Sequence, residues 1–193
     1  FQGCSSLTTI SVPSTLTSIG GHVFSSCSSL TSIDIPEGAA SIGSRAFNYC
    51  YSLTSISLPS TLTTIEGNPF VGCRSLSDLS IAAGNTSFVV EEGVLYDAPK
   101  TRVIVGLAAA VQTAVLPETV MTIEDRAFEN CGLLTSIDIP EGVASIGDSA
   151  FSYCSSLTSI ALPSTLTSIG NSAFEGCHAL TSIVIPEGVT AIG

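Results

Sequence analysis

Thiols are the most reactive side chains in this chain, and their spacing follows a rule. Cys4, Cys27, Cys50 and Cys73 lie 23 residues apart, as do Cys131, Cys154 and Cys177. Each follows a phenylalanine by three places: Phe1, Phe24, Phe47, Phe70, Phe128, Phe151 and Phe174. Zinc would need convergent Cys and His ligands, yet there is no C-x-x-C pair, and the only histidines, His22 and His178, fall in different units. A disulfide needs side chains that face one another. Identical residues at a fixed stride point the same way instead, and an odd count leaves at least one thiol unpaired within the chain. Free cysteine also packs as a small hydrophobe. The spacing therefore favours a column of buried free thiols over a bridge or a metal site.

The other reactive groups form no catalytic set. Serines fill repeating outward positions without a paired histidine and acid. His22 stands before Val-Phe where other units carry Ser or Arg, and His178 follows Cys177 at a turn, so both read as surface residues. Carboxylates recur at Asp34 and Glu37 and again at Asp138 and Glu141. They read as a solvated rim, with a weak calcium contact as the alternative. There is no phosphate-cradling glycine loop. Asn85-Thr86-Ser87 matches a glycosylation sequon. The expectation is a non-enzyme without a cofactor.

A 23-residue self-similarity calls for stacked coils, because one unit can bury its apolar edge only against its neighbours. With 45% hydrophobic and 11% charged residues, the chain is too apolar for disorder. Its net charge of −11 disfavours nucleic acid and bare anionic membranes as partners. No apolar run approaches the ~20 residues of a membrane span. The longest, Val103 to Val111, is broken by Gly106. Because the chain starts and stops inside repeats, it reads as a piece of a longer protein. Its uncapped end coils would then be covered by neighbouring sequence or by end-to-end self-association with another copy.

Aligned on Cys154, a unit contains Leu157, Ile160 and Leu162 in the pattern L-x-x-I-x-L, the alternation of a half-buried strand. Proline follows at once at Pro13, Pro36, Pro59, Pro117, Pro140, Pro163 and Pro186; it lacks an N–H and ends the strand. A second apolar pair such as Val143 and Ile146 comes next, with a glycine that we expect to take a positive φ. A short turn or helical bend carrying Ala-Phe closes the coil. Stacking should set parallel strands about 4.8 Å apart, each continuing the ladder of the one before.

The string L-T-S-I-x-I-P-x-x-V-x-x-I-G-x-x-A-F-x-x-C resembles the BspA-like leucine-rich repeats of bacterial and protozoan surface proteins, over nearly the whole chain. The resemblance implies a β-rich repeat solenoid with a parallel sheet, and an extracellular or cell-surface adhesion role. We read one solenoid over 1–193, with 23-residue repeats in 1–75 and 111–193 and an irregular longer unit in 76–110. Pro-Ser-Thr at 13, 59 and 163 alternates with Pro-Glu-Gly at 36, 140 and 186, giving a 46-residue higher period. Leu30–Ile65 and Leu134–Ile169 agree at 29 of 36 positions, which argues for duplication and against a unique catalytic pocket in the regular part.

The departure lies between Phe70 and Phe128, 58 residues apart. Runs Phe88–Val90, Val94–Tyr96 and Arg102–Val105, with turn-like Glu92-Gly93 and Asp97-Ala-Pro-Lys100, predict a small β-meander inserted in one coil. Glu91, Glu92, Tyr96, Asp97, Lys100 and Arg102 are its candidate recognition residues, although a family-typical longer coil with its own small core is the favoured reading. The other candidate surface is the outward sheet face: Ser32, Asp34, Ser55, Ser57, Asp78, Ser80, Ser136, Asp138 and Ser159. That face is flat and hydroxyl-rich and lacks the Trp, Tyr and Arg of tight hot spots. The leading role is recognition of a protein or glycan on a host, matrix or cell surface. The alternative is a structural spacer without a ligand.

Overall fold

Alternation within the first strand of each coil decides which side chains enter the core. Ile33, Ile56 and Leu79 point inward and are buried, while Asp34, Ser57 and Ser80 face solvent. In the computed structural model, which describes residues 1–193, Ser32–Asp34, Ser55–Leu58 and Asp78–Ile81 pair in parallel in that order. Thr113–Val115, Ser136–Asp138 and Ser159–Ala161 form a matching sheet farther along. Register follows the repeat stride: Ser32 lies opposite Ser55, Ile33 opposite Ile56 and Ile137 opposite Ile160.

A second face is built from two-residue strands, including Ser18–Ile19, Ser41–Ile42 and Thr64–Ile65, again paired in parallel. The glycine after each isoleucine does not take the positive φ expected of it. Gly147 and Gly170 have ordinary φ, but a Cβ at either would lie 2.5 Å from the backbone nitrogen of Asp125 or Asp148 in the preceding coil. Close approach between coils, not backbone handedness, demands glycine there.

The third edge closes each coil with consecutive turns, and no helix forms. Left-handed residues break any helical continuation: Arg45 and Tyr49 at φ 56° and 58°, Ser149 and Tyr153 at 55° and 59°. Between them the Ala-Phe pair turns inward. Phe1, Phe24, Phe47 and Phe70 stack with ring centroids 5.3–5.6 Å apart, and Phe128, Phe151 and Phe174 with 5.2–5.4 Å. Every cysteine is free. Cys50 donates its S–H to the carbonyl of Phe24 in the coil before (3.1 Å), and Cys154 does the same to Phe128 (3.1 Å). Burial pushes the Cys131 thiol up to about 12 and Cys154 higher still, so these thiols stay protonated and inert.

Outside the core, the 46-residue alternation has a physical cause. Glu37 of one coil accepts the N–H (3.0 Å) and hydroxyl (2.9 Å) of Ser60 in the next, while Thr61 donates to the Ala39 carbonyl (3.0 Å). Glu141 grips Ser164 in the same way, at 3.0 and 2.7 Å. A Pro-Glu-Gly coil thus locks onto the Pro-Ser-Thr coil that follows it. The carboxyl of Glu37 is held below its ordinary value, first by the Ser60 N–H and then by the Ser60 hydroxyl.

One coil breaks the pattern. Phe88–Glu91, Val94–Asp97 and Arg102–Gly106 form an antiparallel meander whose last strand pairs in parallel with Thr122–Ile123 of the second face. The first-face ladder, expected to run unbroken, is therefore interrupted: Asp78–Ile81 and Thr113–Val115 belong to separate sheets. The meander stands as a wall between two hydrophobic cores. Leu95, Ile104 and Val105 pack into the core of the first coils, and Val94, Tyr96 and Val103 into that of the last.

Three outcomes follow from this packing. Phe151→Ala removes a fully buried ring from the middle of a stack and should cost about 3–5 kcal/mol, read from the urea unfolding midpoint. In the native protein a thiol reagent should label exposed Cys4 first and half-buried Cys177 next, with the other five reacting only on unfolding. The folded pKa of Glu37 lies below its unfolded one, so its lock contributes above the carboxylate range and is lost as pH falls through the folded value. Thermal midpoints of Glu37→Gln and the parent should therefore differ at neutral pH and converge below about pH 4.

Candidate binding surfaces

The first face carries the sequence-derived positions as two patches rather than one. Ser32, Asp34, Ser55, Ser57, Asp78 and Ser80 lie on the sheet before the meander, and Ser136, Asp138 and Ser159 on the sheet after it. Register sets Asp34 beside Ser57 and Asp78 beside Ser55, so carboxylates are interleaved with hydroxyls instead of paired. No group of three His, Cys, Asp or Glu side chains is placed to hold a metal ion. Threonines flanking this face turn their hydroxyls back on the scaffold: Thr54 donates to the carbonyl of Thr31 (3.2 Å) and Thr158 to that of Thr135 (3.1 Å). What remains for a partner is a surface of short polar groups, interrupted after the meander by exposed Val115 beside Asp138.

The meander residues are mostly committed to one another. Tyr96, expected at the surface, is only 3% exposed and belongs to the second core; burial first, then the charges of Glu91 and Glu92, pushes its phenol up to about 12. Its strand is covered on both faces, so alternation sends Leu95 into the first core and Val94 and Tyr96 into the second and leaves none of them at the surface. Asp97 accepts the N–H groups of Thr101 and Arg102 (2.7 and 2.8 Å) and the Thr101 hydroxyl (2.7 Å). Burial alone would raise its pKa, but these bonds prevail and hold it below the ordinary carboxylate value. Lys100 pairs with Glu91, and Arg102 reaches Glu124 at 3.2 Å. Asn85 is an anchor rather than an open sequon. Its amide donates to the carbonyls of Pro59 (3.0 Å) and Leu62 (2.9 Å), and its oxygen accepts the N–H groups of Ser87 and Phe88. Glu92 is the exposed charge left without a pair.

The turn edge holds what sequence reasoning passed over. Gly106 occupies the place of a phenylalanine: Cys131 points its thiol at the Gly106 carbonyl (3.4 Å), and the Phe128 ring fills the space a side chain there would need. This coil is shortened at its closing edge, and its neighbours bridge the gap. Buried Asn68 donates to the Arg126 carbonyl (2.7 Å) and accepts the Phe70 N–H (2.8 Å). Arg74 spans the same notch to the amide oxygen of Asn130 (3.3 Å), with its guanidinium 5.9 Å from the Tyr51 ring centroid. Tyr49, Tyr51 and Tyr153 all stand in solvent along this edge. Beside the notch runs a groove of about 440 Å3 lined by Arg74, Asn130, Leu133, Tyr153 and His178. His22 lies on the same edge in a distant coil, so the two histidines do not meet. The available signal was positional: Tyr49 and Tyr153 fall two places after the buried phenylalanine, where Ser, Asn or Gly stands in other coils.

Comparison with known proteins fits this architecture. A family model described as the BspA type leucine rich repeat region matches residues 1–96 and 108–193 in six copies. The crystal structure of the pneumococcal vaccine antigen PcpA superposes with a TM-score of 0.79 at 26% identity, covering 92% of this chain and 50% of that one. A leucine rich cell surface protein from Faecalibacterium prausnitzii A2-165 gives 0.74 at 32% identity, covering 91% and 53%. A leucine-rich repeat protein from Eubacterium ventriosum, 21% identical with a TM-score of 0.55, shares the fold over all of this chain and 76% of its own. The chain thus spans about half the length of the first two structures. No curated protein matches it. Parallel strands one repeat apart, stacked Phe and Cys columns and six matched repeats place this chain in the BspA-type leucine-rich repeat family.

Proposed function

We propose that this chain is a rigid recognition module that works outside the cell, adhering to proteins or glycans of a host, matrix or cell surface. The observation that carries the reading is the ladder itself. Coils held in register by core columns and rim locks display the same polar groups at fixed intervals, a geometry suited to weak contacts repeated many times. The likeness to structures described as a cell surface protein and a vaccine antigen supports a surface location. No helix is long and apolar enough to cross a membrane. The role proposed is binding without catalysis.

A structural spacer is the second reading. The internal pairing of Lys100 and Arg102 and the absence of aromatic anchors on the first face favour it. Presenting the 193-residue chain, as monomer and as a bead-bound multimer, to a panel of matrix proteins and glycans separates the two. Recognition predicts saturable binding that strengthens at least tenfold on multimerisation. Failure in both formats would leave the spacer.

A further inference from the structure

The recognition reading leaves open which edge meets a ligand and what the ligand carries. Arg74 supplies the first clue. The chain has five basic residues against sixteen acidic ones. Lys100, Arg102 and Arg126 are each taken up by a carboxylate, and Arg45 is half-buried. Arg74 alone is exposed without an acidic partner. Its plane is set by Tyr51 and by one bond to Asn130, which leaves most of its five N–H donors free. The nearby acids are engaged elsewhere: Glu129 turns inward against Arg126 (3.3 Å), and Glu175 holds the Tyr153 hydroxyl (3.3 Å).

The rest of the lining mixes Ala108, Leu133 and Tyr153 with polar Asn130, Ser155 and His178. Tyr153 and Leu133 are both 48% exposed. The Tyr153 ring lies against Gly176, where a Cβ would sit 2.7 Å from it, so its orientation is fixed. Asn130 and His178 bring hydrogen-bonding groups to this lining. The volume of about 440 Å3 is in the range of small-molecule sites. Backbone donors along the edge are already used between coils, as in Asn130 N–H to the Ser152 carbonyl (2.9 Å), so an extended peptide finds no ladder to join. The net charge of −11 disfavours a polyanion but tolerates a single carboxylate.

We infer that this groove is a subsite for a carboxylate-bearing sugar, Arg74 taking the carboxylate in a bidentate pair and Tyr153 packing against the C–H face of the ring. The inference rests on the recognition reading and names its site and ligand class. Titration calorimetry of the 193-residue chain with a glucuronate disaccharide, sialyllactose, lactose and an acidic tetrapeptide tests it. At least one acidic saccharide should bind, tenfold or more tighter than lactose. Arg74→Gln should lose at least tenfold, Arg74→Lys less, and Tyr153→Leu several-fold, all with the thermal midpoint of the parent. Glu118→Gln, beside Pro117 and outside the groove, should bind as the parent does. Unaltered affinity in Arg74→Gln, or equal binding of the tetrapeptide, overturns the subsite. If sugars bind but only Asp34→Asn, on the first face, weakens them, recognition stands and the groove falls. If no probe and no surface macromolecule binds, both fall.

Discussion

Like side chains stacked on like, one coil above the next, are the contact on which the whole molecule depends. A single coil has too little interior to bury Phe47 or Cys50; it gains one only when Phe24 covers it from one side and Phe70 from the other. The S–H to carbonyl bonds from Cys50, Cys73 and Cys154 to the phenylalanine of the coil before satisfy acceptors inside the stack. Stability is thus a sum over neighbours. A defect is felt by the coils beside it and much less by those farther away.

The irregular coil shows how such an array tolerates a break. The meander interrupts both ladders, joining only the second-face sheet of the later coils, and its two sides close two separate cores. Two asparagines carry the local cost. Asn85 ties the start of the meander to the proline loop before it, and Asn68 replaces backbone bonds that the shortened coil cannot supply. Both are side-chain amides because an amide can donate and accept at once, as a missing peptide group would.

These breaks also sort the surfaces. Where the repeat is regular, the exterior is monotonous and its polar groups answer one another, Glu37 to Ser60 and Glu141 to Ser164. Where it is interrupted, the closing edge opens a notch, and aromatic and guanidinium groups cluster beside it. A scaffold shared across this repeat family can therefore vary at such an edge without altering its core.

The family came from resemblance to a known repeat string, while periodicity settled the solenoid, its parallel strands, the inward Ile and Leu positions and the position of the meander. These follow from side-chain alternation and a fixed stride, both local properties of the chain. Tertiary structure decided what depends on distances between coils. Gly147 and Gly170 proved to be required by close backbone approach, Tyr96 turned into the second core, and the six first-face strands fell into two sheets. The groove beside Arg74 was invisible beforehand because Arg74 and Asn130 are 56 residues apart and meet only when the coil between them is cut short. A repeat pattern records which residues are equivalent; only the stacked chain shows which become neighbours where equivalence fails.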